Sequence, residues 1–215
     1  DSEDIVLRNN QWSFDNILHH ASAHIFFSYW AYKSSPFKNN FLLNLLFDSD
    51  ARASLSSCFP SFLLKSASDT VAFYSGMLDQ WGGVRSLLRS MSLVQDKSIR
   101  LKISGAFPDR QFKHLISSSP RCDYIGFLSY EKLLETSLSS SIYINPRPTS
   151  CLGSLFNFPS KLGIMLASPA LLLSTRSPGV APRLHNAFYT IDESPISIAR
   201  TLDKFSDSQT WRTEC

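Results

Sequence analysis

Three observations in this sequence predict an α/β fold built on a doubly wound, mostly parallel sheet. From Thr70 onward, short apolar runs alternate with longer amphipathic ones, the pattern of βαβ units joined by right-handed crossovers. Gly76, Gly105, Gly126 and Asn145 each follow one of the short runs. Four strand ends then open towards one edge, where ligands of such sheets bind. With 43% hydrophobic residues the chain can bury a sizeable core, which excludes global disorder.

The elements follow in order. Residues 70–74 (TVAFY) form a strand ending in Ser75-Gly76, and 84–94 carry Val84, Leu87, Leu88, Met91 and Val94 at helical spacing. A strand over 99–103 ends at Ser104-Gly105, and a helix is expected over 109–117. Residues 123–125 make a short strand closed by Gly126. A helix over 129–138 starts at Ser129, a good cap, with Glu131 placing a carboxylate in the first turn. Then come a strand over 141–144, a helix over 159–167, a strand over 170–174, and the pair 188–191 and 196–205.

Residues 1–69 have a different texture. A helix over 15–21 and a strand over 23–27 (AHIFF) suggest one αβ unit, 33–40 is polar, and 41–47 is an apolar run of uncertain type. The serine-rich stretch 54–65 contains Pro60 and suits a connector. The main boundary falls near Ser66. This gives an amino-terminal piece over 1–69, a principal domain over 70–206 and a tail over 207–215.

The most informative stretch is Asn145-Pro146-Arg147, followed by Phe158-Pro159-Ser160-Lys161. It has the form of a strand end, a polar loop and the first turn of a helix. Pro159 suits the first helical position, because its missing N–H would be unpaired there. The amides of Ser160 and Lys161 then point out of a helix start, which favours an anion. Lys161 adds a full charge, and Arg147 offers a planar fork for two phosphate oxygens. Either half alone suits a capped surface helix with solvated cations. Together, beyond a strand end, they predict an anion site.

Composition narrows the partners. At 215 residues the chain allows one large domain, or one domain with appendages. A net charge of +3 is too small to imply nucleic acid or an anionic membrane, and it suits a phosphorylated ligand. Cys58, Cys122, Cys151 and Cys215 show no metal-like pairing, so free thiols in a reducing cytosol are expected. No apolar run approaches the ~20 residues of a membrane span. The chain opens Asp-Ser-Glu-Asp without a leader pattern, from which we expect an incomplete chain in the cytoplasm, touching the inner face of a membrane at most.

The ordered motifs resemble the carboxyl-terminal, donor-binding half of the family-4-like (group 1) glycosyltransferases of the GT-B fold. The resemblance is carried by Tyr74-Ser75-Gly76 with Leu78, Gly83 with Leu87-Leu88, and Leu101-x-Ile103-x-Gly105. It continues through Ile125-Gly126-Phe127-Leu128, Asn145-Pro146-Arg147-Pro148 and Phe158-Pro159-Ser160-Lys161-Leu162. The family resemblance implies a Rossmann-like half that holds a nucleotide-diphosphate sugar, and a transfer of that sugar to a glycan or lipid-linked acceptor. By position, Gly76, Arg147, Ser160 and Lys161 would contact the diphosphate, and Ile125, Gly126 and Phe127 would border the nucleobase. No catalytic residue is assigned, and neither metal nor cofactor is expected.

The chain departs from the family pattern at three places. Ile164 and Phe156 stand where the family commonly has acidic residues. Ser168-Pro169 replaces Ser-Gly after the helix. Residues 1–69 supply only a remnant of an acceptor domain plus a linker, so a separate acceptor-domain chain is an expected partner. The competing reading is a non-catalytic module, degenerate or split, that binds nucleotide sugar or pairs with a partner; an unrelated α/β domain is third.

Other constellations are weaker. His20 and His24 would share a face if a helix ran that far, too few ligands for a metal. His185 lies in a loop with little catalytic weight, and no Gly-x-Ser-x-Gly elbow is present. Tyr29, Trp30 and Trp81 suit core or interdomain anchors, with Trp81 the better functional candidate because it follows the Gly76 loop. Ile164 is expected to pack inward beside Met165 and Leu166.

Overall fold

Residues 23–43, 70–79, 81–106 and 110–206 are described by the structure, a computed structural model. The expected helix over 15–21, the connector over 54–65, the tail, His19, His20, Cys58 and Cys215 lie outside the described residues.

The first described unit is a small βαβ. Strand β1 (His24–Phe26) pairs in parallel with β2 (Asn40–Leu42), and α1 (Tyr29–Ser34) connects them. Ser28 caps α1 by accepting the Ala31 N–H at 3.3 Å. His24 is therefore on the expected strand and stacked on Phe37 at 4.1 Å, so no helix runs far enough for it to share a helix face with His20.

The principal sheet has six strands. They are β3 (Val71–Ser75), β4 (Arg100–Ser104), β5 (Cys122–Tyr124), β6 (Ile142–Asn145), β7 (Leu171–Ser174) and β8 (Tyr189–Thr190). Their order is β5-β4-β3-β6-β7-β8, with every neighbouring pair parallel. Counted from β3 this is the 3-2-1-4-5-6 order of a Rossmann-like sheet. The expected fold class is present, and the strands match the expected ones to within two residues at each end.

Alternation along the strands sorts the core into two layers. On one face Ala72, Leu101, Ile103 and Ile144 meet α2 (Val84–Leu93), α3 (Arg110–Ser117) and α7 (Pro195–Lys204). On the other, Phe73, Tyr143 and Leu172 meet Leu133 of α4 (Tyr130–Ser139) and Leu162 and Met165 of α6 (Leu162–Ala167). Strands buried on both faces are near-continuous apolar runs, which is why period-two alternation is hard to see in them. The cap expected for α4 forms: Ser129 Oγ accepts the Lys132 N–H at 3.4 Å.

Three elements have no counterpart in the sequence analysis. They are α1, α5 (Leu152–Phe156), which is a five-residue helix in the loop after β6, and a 3₁₀ helix over Pro182–Ala187. The start of α6 also differs from expectation. Pro159 opens a turn closed by Leu162 N–H to Pro159 O at 2.8 Å, and the helix begins only at Leu162, with Lys161 as its cap. At its other end α6 stops on an extended Ser168 and runs into Pro169, without a left-handed residue.

Gly83 joins the two halves of the sheet. It starts α2 at φ +75, and an added Cβ would lie 2.0 Å from Pro146 O. Only glycine meets both the left-handed backbone and that contact. Gly83→Ala should therefore cost at least ~2 kcal/mol. Urea unfolding would show it as a lower midpoint at unchanged slope; an unchanged midpoint would show that the α2 start and the β6 loop are not tightly joined.

Candidate functional site

A cleft of about 240 Å³ opens at the carboxyl ends of β3 and β6. After β3 the chain turns into α2 towards β4, and after β6 it turns through α5 and α6 towards β7. The loops part there, so the gap is a consequence of the strand order. Its lining includes Ser75, Gly76, Asp79 and Trp81 from the β3 side, and Asn145, Arg147, Ser160 and Lys161 from the β6 side.

Lys161 reaches across the cleft floor. Its Nζ donates to Ser75 Oγ at 3.2 Å, and burial holds its pKa below the ordinary 10.5. Arg147 Nε donates to Ser154 Oγ at 3.0 Å and its Nη2 to Gly153 O at 2.6 Å. Among the described residues neither cation has a carboxylate partner. Asp79 is the only carboxylate among the lining residues, and it accepts the Gly82 N–H at 2.8 Å, which folds its own loop. The cleft thus holds two half-buried cations, a chemistry that suits a multiply charged oxyanion.

The amides of Ser160 and Lys161 donate to no described residue. They flank a six-residue helix, so little aligned dipole stands behind them. Any pull on an anion here would come from the two cations instead. That corrects the expected weight of the helix start.

Gly76 lines the cleft, but the reason for its missing side chain is local. A Cβ there would stand 2.6 Å from the Tyr74 hydroxyl, which donates to Met77 O at 2.8 Å. Burial raises the pKa of that phenol, so Tyr74 stays protonated as a donor across the working pH range. Burial likewise pushes Tyr143 up to about 12. Trp81, 47% exposed, stands in the lining on the β3 side.

The structure does not bring every candidate residue into this cleft. Ile125, Gly126 and Phe127 follow β5, two strands from β3 on the same sheet edge, and are absent from its lining. Phe127 is 79% exposed. Ile164 is half-buried and belongs to neither core layer, so the expected inward packing is not observed. At helical spacing the inner face of α6 is carried by Leu162 and Met165, which leaves position 164 to the side. Phe156 packs edge-on against Trp30 at 5.0 Å. His185 sits in the 3₁₀ helix with its ring against Phe188 and its pKa lowered, chiefly by burial. Among the described residues no cluster of three His, Cys, Asp or Glu could hold a metal ion, and no helix is long and apolar enough to cross a membrane.

Sequence reasoning missed Asp79 and the α5 groups that grip Arg147. Asp79 was legible, since it lies three residues after Gly76; α5 was not, because five residues carry too little periodicity.

Strand order and cleft define a Rossmann-like α/β domain with its opening at the topological switch point. No family model and no curated protein matches the chain. Solved structures do. Sucrose-phosphate synthase from Thermosynechococcus elongatus is similar at 15% identity and a TM-score of 0.63, over 88% of this chain and 50% of that one. HepE from Anabaena, solved with UDP and glucose, is similar at 11% identity and a TM-score of 0.60, over 88% and 55%. The C-terminal domain of a glycosyl transferase group 1 family protein from Francisella tularensis is similar at 12% identity and a TM-score of 0.51, over 72% and 83%. The chain spans about half the length of the first two. These likenesses show the fold, that of a half of a GT-B glycosyltransferase.

Lys161 gives this site a pH signature. Its folded pKa lies below 10.5, so its charge opposes folding at neutral pH, and that cost fades as pH rises from the folded pKa to the unfolded one. Lys161→Met should therefore melt at or slightly above wild type at pH 7. The gap should close as pH approaches 10.5. Melts across that range check it; a Lys161→Met protein less stable at pH 7 would show the ammonium to be a structural contact.

Proposed function

We propose that the cleft binds the diphosphate of a nucleotide sugar, and that the chain is the donor-binding half of a glycosyltransferase that moves the sugar to a glycan or lipid-linked acceptor. The observation that carries this is the pairing of Lys161 and Arg147, both half-buried and without a carboxylate partner among the described residues, in one cleft at the switch point. Unbalanced half-buried charge is unfavourable unless a ligand meets it. The UDP and glucose in the HepE structure support a nucleotide-sugar ligand, and the Francisella domain supports the carboxyl-terminal, group 1 assignment.

In this reading Arg147, Lys161 and the amides at Ser160 and Lys161 receive the diphosphate, beside Gly76. Ile125, Gly126 and the exposed Phe127 ring border the base along the same edge. The leaving group is a nucleoside diphosphate, so fixed cations that stabilise its growing charge lower the barrier, and alignment of donor and acceptor supplies much of the rest. Residues 1–69 are the remnant of an acceptor domain and linker, 70–206 the donor domain, and a separate acceptor chain would complete the cleft. The reading places the chain in the cytoplasm, in contact at most with the inner face of a membrane.

A second reading is favoured by two side chains. Ile164 and Phe156 replace acids that the family uses, and Phe156 is occupied with Trp30. A binding module that holds nucleotide sugar without transferring it would tolerate both changes.

UDP, ADP, GDP and CDP titrated by calorimetry test the shared part of both readings. Binding of at least one is expected. Lys161→Ala should weaken it roughly tenfold or more, the loss of a charge-assisted hydrogen bond. No heat from any of the four at millimolar concentration would sink both readings. Release of nucleoside diphosphate from the matching sugar nucleotide, with a glycan acceptor mixture present, then separates enzyme from module. Ile164→Glu should fold, since position 164 is half-buried, and should favour ribonucleotides over their 2′,3′-dideoxy analogues if α6 presents that side to the ribose. Equal affinities would remove position 164 from the site.

A further inference from the structure

The helix that grips Arg147 is itself held from outside. α5 has only five residues, too short to be stable alone, and its last carbonyls need partners beyond the helix. Gly153 O accepts Arg147 Nη2 at 2.6 Å. Ser154 O accepts the Gly179 N–H at 3.0 Å and the Ser177 hydroxyl at 3.2 Å. Leu155 O accepts the hydroxyl of Ser28, which belongs to the amino-terminal β1–α1–β2 unit. From that unit Trp30 also packs edge-on against Phe156, and the Tyr29 N–H donates to Gly179 O at 2.9 Å.

We propose that Ser28 and Trp30 are positioning residues for Arg147: the β1–α1–β2 unit sets the guanidinium in the cleft by fixing α5. The link is short. Ser28 grips Leu155, and the two residues before Leu155 hold both anchored nitrogens of Arg147. Ser28 is 1% exposed, so water cannot readily replace its hydroxyl at Leu155 O. Among the described residues no partner takes the remaining N–H groups of Arg147, which leaves them for a ligand, and how well they are aimed depends on how rigidly α5 sits. The amino-terminal unit then acts on the anion site without lining it. This rests on the reading of Arg147 as an anion ligand.

The test uses the full chain with inorganic pyrophosphate as probe, and the Arg147 Nε–H resonance as a readout that needs no ligand. Ser28→Ala and Trp30→Leu should each weaken pyrophosphate binding by roughly threefold to tenfold, the size of one net hydrogen bond or of one aromatic pair, and speed solvent exchange of Arg147 Nε–H. Ser28→Thr keeps a hydroxyl and should restore both. In an Arg147→Ala background Ser28→Ala should have no further effect on binding, because the two act as one unit. Unchanged Nε–H exchange in Ser28→Ala and Trp30→Leu would overturn the proposal, as would equal weakening with and without Arg147. Faster exchange in the two variants, with no pyrophosphate binding by the wild-type protein, would uphold the link between Ser28 and Arg147 while ending the anion-site reading.

Discussion

The arrangement of the molecule depends on one topological constraint, the reversal of strand order between β3 and β6. All six strands of the principal sheet are parallel, so each must be followed by a crossover, and right-handed crossovers fix which face the next helix covers. Moving outward from β3 through β4 and β5 puts α2 and α3 on one face. Returning to β6 and continuing to β7 puts α4 and α6 on the other. Only between β3 and β6 do the outgoing loops diverge. The cleft is what that divergence leaves open, and its lining follows from which residues end those two strands.

Backbone contacts hold the edge around that opening in place. Gly76 N–H donates to Ser104 O at 3.1 Å, and Gly105 N–H to Gly126 O at 3.1 Å, so the loops after β3, β4 and β5 are stitched to one another. On the other side Thr175 Oγ1 donates to Arg147 O at 2.6 Å, and Glu193 accepts the Thr149 N–H at 3.0 Å. These bonds leave the cleft walls little freedom, and a binding site gains affinity when its donors need no rearrangement.

Charge and stability pull in opposite directions within the cleft. Lys161 loses hydration without gaining a carboxylate among the described residues, and a serine hydroxyl is a weak substitute. Elsewhere the protein treats its charges more economically. Arg100 and Asp123 pair across β4 and β5 at 2.8 Å on the surface, and Arg121 spreads its guanidinium over the carbonyls at the end of α2. Arg121 closes a helix end and Arg147 lines an opening, although the two look alike in sequence.

The sequence by itself determined the principal sheet, because strands buried on both faces must be apolar runs and amphipathic helices must repeat at 3.6 residues. The cap at Ser129, the four strand ends and the nearness of Arg147 to Lys161 across one loop were legible for the same reason: each is set by residues close together in the chain. Only the tertiary structure decided what those residues touch. It showed that Gly76 yields space to Tyr74, that Pro159 precedes α6 rather than starting it, and that Ile164 turns to the side. It also placed Ser28 against Leu155, 127 positions away. Contacts of that separation leave no local periodicity, since they depend on how layers stack and not on which neighbours a residue has.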